Sequence, residues 1–473
     1  MVFKRFEIPG LSHYSYVIGS AGLAAVIDPK RDVDTYIRFA EETGLRIAYV
    51  LETHIHADYA SGATALADIT GAQLCLSGHD EGETFAYSFP HRELRDGDEL
   101  ELGDLTLRVI HTPGHTPEHI SFLLLELSKS NEPISMFSGD FLFVGSVGRP
   151  DLLGDEAKRK LAEALYDSVS KLKHLPDGVE IYPAHGAGSL CGSGMSQREQ
   201  STLGYERATN PFLKEQPKQD FVEKLLDSVP ELPDYYKRMK EINSRGPRLL
   251  DKIPGGSLFS IEEFLRKQHE TEAVVVDLRR PEAFGGAHMP DSINIGSGPT
   301  LSTWAAWMLP YDKPIFLMGD AQTDLQQVRR SLIRVGLDCI AGALRDGIKT
   351  WIETGNSQGH IPQISVLELN RLLVSGQKIL LLDVRSPGEW EGGHIDHAMH
   401  IPAAELPKSL ETLPAGDTIY IMCGSGYRSS IAASIVAKSG RAKPINVVGG
   451  MTAWRAQHLP VMNDASDAES KHV

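Results

Sequence analysis

The sequence predicts an α/β chain of about three domains, and three observations carry that expectation. Apolar runs of strand length alternate with helix-like segments along most of the 473 residues. Four of those runs, all in the first 200 residues, stop at a His or an Asp. Beyond a Pro/Gly-rich stretch, the chain then repeats itself once. A length of 473 residues exceeds one core on a prior of roughly 150 residues per domain. With 41% hydrophobic and 23% charged residues, the chain is globular rather than disordered.

The first residues, "MVFKRFEIPGLSHYSY", lack an apolar signal segment. No run approaches the roughly 18 apolar residues of a membrane span, so neither secretion nor membrane insertion is expected. Cys75, Cys191, Cys339 and Cys423 are too widely spaced for a disulfide framework or a zinc knuckle, which leaves a reducing cytoplasm as the expectation. A net charge of −16 argues against a nucleic-acid surface, which needs a basic patch.

Asp28-Pro29 closes an early strand. The stretch "VLETHIHADYASGA", residues 50–63, then reads as a buried strand, a loop bearing His54, His56 and Asp58, and the start of a helix. Ligand-type side chains at i, i+2 and i+4 on one loop can converge on a cation, since neutral imidazole and carboxylate suit borderline divalent metals. The competing reading is a set of surface histidines in a polar loop. His115 follows in a Pro/Gly turn between two apolar strands, Asp140 ends "PISMFSGD", and His185 ends "VEIYPAH". Ligands at several strand ends are how a sheet builds a metal site on one rim.

The motifs H-x-H-x-D, P-G-H-T, S-G-D and P-A-H-G, in this order, resemble the metallo-β-lactamase superfamily. The resemblance implies an αββα sandwich with its metal site at the rim between two sheets. The domain is expected over residues 1–250, with charged, Pro-punctuated helices over 211–250 covering it and leading out. "RGPRLLDKIPGGS" reads as a linker.

Past the linker, "VVVDLRRPEAFGGAHMPDSINI" aligns without gaps on "LLLDVRSPGEWEGGHIDHAMHI". Asp277, Arg279 and His288 fall on Asp383, Arg385 and His394, each pair 106 residues apart, and Trp351 matches Trp454 further on. A repeat this long is two copies of one small α/β domain, expected over 257–360 and 361–465. In the second copy, an apolar strand "TIYIM" and a small-residue helix "SSIAASIVAK" flank a six-residue loop, Cys423-Gly424-Ser425-Gly426-Tyr427-Arg428. Glycines let backbone N–H groups curl toward one anionic atom, and the helix N-terminus and Arg428 add positive potential. Such a loop favours a thiolate able to carry sulfane sulfur as a persulfide. The bland alternative is a buried structural cysteine.

The D-x-R…G-H-I pattern followed by the C-x-x-G-x-R loop resembles the rhodanese family of sulfurtransferases. Aligning "PIFLMGDAQTDLQQVRRSLI" on the second copy puts Gly319 at the cysteine position and Asp324 at the arginine position. Cys339 falls on a later strand and does not substitute. The first copy is therefore expected to be inactive, a spacer, docking surface or dimer interface.

As a whole the chain is similar to persulfide dioxygenase–sulfurtransferase fusions of bacterial sulfide detoxification. That resemblance implies one Fe(II) per chain, held by His54, His115 and Asp140, with zinc as an adventitious occupant. Two His and one carboxylate with open positions suit non-haem iron. His56, Asp58 and His185 are expected around the ligands, with direct ligation by His56 left open. Arg149 and Asp151 are candidates for binding the thiol carrier, against a salt-bridged loop as the alternative. Cys423 and Arg428 are the catalytic residues. The implied activity is oxidation of a low-molecular-weight thiol persulfide by dioxygen to sulfite and thiol, coupled to sulfur transfer giving thiosulfate, in a cytoplasmic homo-oligomer.

Hydrolytic relatives of the glyoxalase II type carry a second His after the Asp; here Tyr59 stands there and weakens a second metal. A metal-dependent thioester hydrolase and a non-oxidising sulfur carrier remain the alternatives.

Overall fold

The computed structural model describes residues 1–229 and 231–462. It divides into two compact units, one of residues Met1–Ile253 with Arg330–Leu337, the other of Pro254–Arg329 with the chain from Asp338 onward.

The first unit is built on two six-stranded sheets. One runs, in chain order, through Val2–Ile8, His13–Ser20, Leu23–Ile27, Arg46–Leu51, Gln73–Ser77 and Arg92–Leu94. The other orders its strands Ser201–Thr202, Glu180–Pro183, Ser135–Gly139, Ile120–Leu125, Leu105–His111 and Glu99–Leu102. Their side chains alternate with the period of two that a pleated strand imposes. Tyr16, Ile18, Ala25 and Ile27 of the first sheet join Leu107, Val109, Phe122 and Leu124 of the second in the core between them. The intervening Val17, Ala24 and Val26 pack outward against the helices Asp34–Thr43 and Ala63–Thr70. Leu123 and Leu125 pack outward against Asp155–Lys171 and Lys218–Ser228. Burial on both faces is why these strands read as continuous apolar runs, and the resulting layering is the αββα sandwich expected from the motifs. The charged segment over 211–250 forms two helices, Lys218–Ser228 and Tyr235–Arg245, and no helix or strand follows from Gly246 to Ser257.

In the second unit two five-stranded parallel sheets share one strand order. The first runs Leu258–Phe259, Ile340–Leu344, Ile315–Met318, Val274–Asp277, Ile293–Asn294, and the second Gln363–Ser365, Lys443–Val448, Thr418–Met422, Leu380–Asp383, Met399–His400. The repeated D-x-R motif is a buried ion pair in each copy, Arg279–Asp277 at 2.6 Å and Arg385–Asp383 at 2.7 Å. Cys339 is exposed and lies one residue before its strand rather than on it. Among the described residues no helix is long and apolar enough to cross a membrane.

Candidate functional site

The strand Arg46–Leu51 delivers Glu52 and Thr53 to a loop whose side chains are fixed one by one. Asp28, in the left-handed region at φ 53°, accepts the Thr53 N–H at 2.7 Å and its hydroxyl at 3.0 Å. Thr53 Oγ1 meets His54 Nδ1 at 2.9 Å, so the Nε2 of His54 is the free nitrogen. The Nδ1 of His115 lies 2.9 Å from the carbonyl of Arg149, which again leaves Nε2 free. Asp140 is held twice: its N–H donates to His119 Nε2 at 3.0 Å, and its Oδ1 takes His185 Nδ1 at 2.7 Å.

What remains are three buried atoms without a hydrogen-bond partner, His54 Nε2, His115 Nε2 and Asp140 Oδ2. They converge within 4.8 Å of one another, with Oδ2 at 3.6 Å from His54 Nε2 and 3.4 Å from His115 Nε2. Leaving a buried polar atom unpaired costs on the order of 1–3 kcal/mol. Ligands about 2.1 Å from one ion sit roughly 3 Å apart at near-right angles, so the donor set fits a divalent metal. Burial, with neighbouring imidazoles adding to it, lowers the pKa of His54 and His115 well below the ordinary value, keeping both as neutral donors. The second nitrogen of each ring and the far oxygen of Asp140 are anchored by the fold, the arrangement that orients metal ligands.

His185 spans two carboxylates, with Nδ1 on Asp140 and Nε2 2.9 Å from Asp58 Oδ2. Burial alone lowers its pKa, yet the two carboxylates raise it well above the usual value, and His185 stands as a strut between them. His56 turns away from the three free atoms and places Nε2 3.1 Å from Asp28 Oδ1. Tyr59 is fully buried, its hydroxyl bonded to the Asp28 carbonyl at 3.2 Å and its ring 4.1 Å from that of His13. Asp58, His185 and Cys191 form a second buried group with ligand atoms within 4.8 Å. Arg149 is 1% exposed and grips Asp151 through two hydrogen bonds of 2.7 and 2.8 Å, with a third to the Leu190 carbonyl. The Arg149 side chain thus forms an ion pair within its loop, and its carbonyl anchors His115 Nδ1.

Several residues were invisible to motif reading. His119, which none of the motifs singles out as a ligand, stacks on His54 and accepts the Asp140 N–H. The helix Tyr235–Arg245 presents Tyr236, Lys240 and Asn243, three to four residues apart and so on one face. Asn243 Nδ2 donates to the carbonyls of His56 and Tyr59 at 2.8 Å each, and its Oδ1 accepts the Ser61 N–H at 2.9 Å. Lys240 reaches toward the Ile55 carbonyl, and the Tyr236 hydroxyl lies 3.7 Å from Cys191 Sγ. At about 1 kcal/mol net per hydrogen bond, this face fixes the metal loop from outside the motif.

In the second repeat the strand Thr418–Met422 ends at Cys423, which is 1% exposed. Gly426, at φ 107°, turns the chain into the helix Tyr427–Ser439, so the loop has four residues rather than six and Arg428 stands in the first helical turn. The Gly426 N–H donates to Cys423 Sγ at 3.1 Å, and Ser429 Oγ lies 3.5 Å from it. Arg428 is paired with Glu389, Nη2 to Oε1 at 2.7 Å. Glu389, unnoticed in the sequence, is raised by burial but lowered more strongly by Arg428 and the Ser386 N–H, to about 2.

The description "Metallo-beta-lactamase superfamily" matches residues 8–185, and "Rhodanese-like domain" matches 260–354 and 365–457. A hydroxyacylglutathione hydrolase of Anaeromyxobacter dehalogenans is 33% identical over 238 residues, 45% of this chain and 86% of its own. The crystal structure of a metallo-beta-lactamase from Staphylococcus aureus is 37% identical with a TM-score of 0.65, covering 73% of this chain and 98% of that one. That of ETHE1 from Myxococcus xanthus is 28% identical with a TM-score of 0.44, covering 52% and 98%. The αββα layering, the convergent His and Asp donors and these matches together place the chain in the metallo-β-lactamase superfamily, with two rhodanese-like domains following its metallo-β-lactamase domain.

Proposed function

We propose that the chain oxidises a low-molecular-weight thiol persulfide to sulfite and thiol at the His54–His115–Asp140 centre, and passes sulfane sulfur through Cys423 to give thiosulfate. The observation that carries this reading is the set of three orphaned donors, two imidazoles and one carboxylate. Two His and one carboxylate leave positions open for two further molecules, the pattern of non-haem iron oxygenases. A ferrous ion held there supplies the one-electron chemistry that lets dioxygen react with a closed-shell sulfur.

The chain's own residues do the rest. His185 and His119 hold Asp140 in place, and Thr53 and the Arg149 carbonyl fix which ring nitrogen of His54 and His115 faces the centre. The oxidation takes four electrons from the outer sulfur and places both atoms of dioxygen, with one oxygen from water, in sulfite. At the second centre the Cys423 thiolate attacks the outer sulfur of a persulfide and expels the thiol. Sulfite then takes that sulfur, leaving as thiosulfate and restoring the thiolate.

A second reading is a metal-dependent thioester hydrolase. It is favoured by the name of the Anaeromyxobacter relative and by the Asp58–His185–Cys191 group, where a second ion would sit. Metal content after anaerobic purification, measured with oxygen uptake on adding glutathione persulfide, separates the two. One iron per chain and oxygen consumption are expected. Two zinc ions per chain with hydrolysis of S-lactoylglutathione and no oxygen uptake would replace the first reading by the second. His115→Ala and Asp140→Ala should each lose the metal and the oxygen uptake while thiosulfate:cyanide sulfur transfer continues.

A further inference from the structure

The first repeat has no nucleophile, yet it keeps the buried Asp277–Arg279 pair and the strand that follows it. Asn294, 1% exposed, ends that strand with every side-chain group engaged. Its Nδ2 donates to the carbonyls of Asp277 at 3.1 Å and Arg279 at 2.9 Å. Its Oδ1 accepts the Ser430 hydroxyl at 2.6 Å, and its backbone N–H donates to Ser434 Oγ at 3.1 Å. Ser430 and Ser434 are one helical turn apart on the helix that starts at Tyr427. Two residues beyond Asn294, the Gly296 carbonyl accepts the Tyr427 hydroxyl at 2.9 Å. A Cβ at Gly296 would lie 3.2 Å from the Tyr427 ring and 3.2 Å from the Arg279 carbonyl, so a side chain there would press on both by a few tenths of an ångström.

Tyr427 and Ser430 belong to the first turn of the helix whose amino end closes the cysteine loop, where the Gly426 N–H points at Cys423 Sγ. In the second repeat His400 stands where the first has Asn294, and it turns inward instead, to the Arg385 carbonyl at 2.9 Å and onto the Trp390 ring. The contact thus uses a residue the second repeat does not have: the repeat lacking the loop cysteine grips the helix of the repeat that carries it.

We propose that Asn294 and Gly296 are positioning residues for the Cys423 loop, and that holding this helix is the work retained by the inactive repeat. An unanchored first turn lets the loop amide drift from the sulfur, and about 1 Å of misplacement can cost on the order of a hundredfold in rate. The inference rests on Cys423 being the sulfur-transfer nucleophile.

The test uses the full chain in the thiosulfate:cyanide assay, with Asn294→Ala, Ser430→Ala and the double variant. Each single variant should lose about tenfold in kcat, near the loss of one buried hydrogen bond, while KM for thiosulfate moves less than about twofold. The double variant should be no slower than the worse single one, because both break the same contact. Carbamidomethylation of Cys423 by iodoacetamide should slow in parallel. Ser430→Ala removes only one hydroxyl and decides the matter if Asn294→Ala does not fold. Folded variants with wild-type kcat and alkylation rate, even with a lowered Tm, would overturn the positioning role. A wild-type chain that turns over no thiosulfate would instead remove the sulfurtransferase reading itself.

Discussion

After the strand Thr418–Met422 the chain passes through Cys423, Gly424, Ser425 and Gly426 and enters a helix, with the Gly426 N–H directed at the Cys423 sulfur. After the corresponding strand, Ile315–Met318, it passes through Gly319 to Asp324 and closes on itself. Asp320 Oδ1 takes the Gln322 N–H and the Thr323 hydroxyl, each at 3.0 Å. Asp324 Oδ1 takes the N–H groups of Gln326 and Gln327, also at 3.0 Å. A helix amino end is an anion site by its nature. In one repeat that end faces the Cys423 sulfur, and in the other the chain's own Asp324 carboxylate fills it. The first repeat thus differs by more than the absent loop cysteine: Asp324 caps its helix end, and such a cap stabilises a helix by about 1 kcal/mol.

The largest expected effect on this contrast comes from Cys423→Ser. Sulfur transfer should fall by at least about 10³-fold, since a hydroxyl stays protonated and carries no sulfane sulfur. Oxygen uptake with persulfide should persist, with product shifting from thiosulfate to sulfite in a paired product assay. Normal thiosulfate output from this variant would dissolve the distinction between the repeats. Arg428→Ala should cost less, about ten- to a hundredfold in kcat/KM for thiosulfate, because it strands Glu389 beside an anionic substrate while the loop amides remain.

A smaller effect is the pH response of the Glu389–Arg428 pair. Glu389 has a folded pKa lowered to about 2 from an ordinary 4.5, so its stabilisation is present above pH 4.5 and is lost as pH falls through that window. With the carboxylate partly exposed, the contribution is at most about 1 kcal/mol. Chemical denaturation between pH 5 and pH 3 should show this slope in the wild type and a shallower one in Glu389→Gln; identical slopes would mean that the pair carries no stability.

The smallest expected change is none at all. Gly319→Cys in a Cys423→Ser background should restore no thiosulfate:cyanide transfer. A Cβ at Gly319 would lie 2.6 Å from Thr323 Oγ1, and Asp324 already occupies the helix end that a thiolate needs. Turnover above the Cys423→Ser level would show that the nucleophile alone separates the two copies.

Periodicity and local spacing were enough to read the α/β class, the duplicated domain, the rim on which His54, His115, Asp140 and His185 gather, and the glycine loop around Cys423. Each of these is a short-range property: a strand end, a turn that requires glycine, a helix start. Tertiary structure alone decided the rest. It turned His56 to Asp28, set His185 as a strut between Asp58 and Asp140, and shortened the cysteine loop by starting the helix at Tyr427. It also brought Asn243 to the metal loop, Glu389 to Arg428 and Asn294 to Ser430. Those partners stand 187, 39 and 136 residues apart. A hydrogen bond across such a distance leaves no periodic trace in the chain, because it depends on where two separately folded elements meet and not on the residues beside either one.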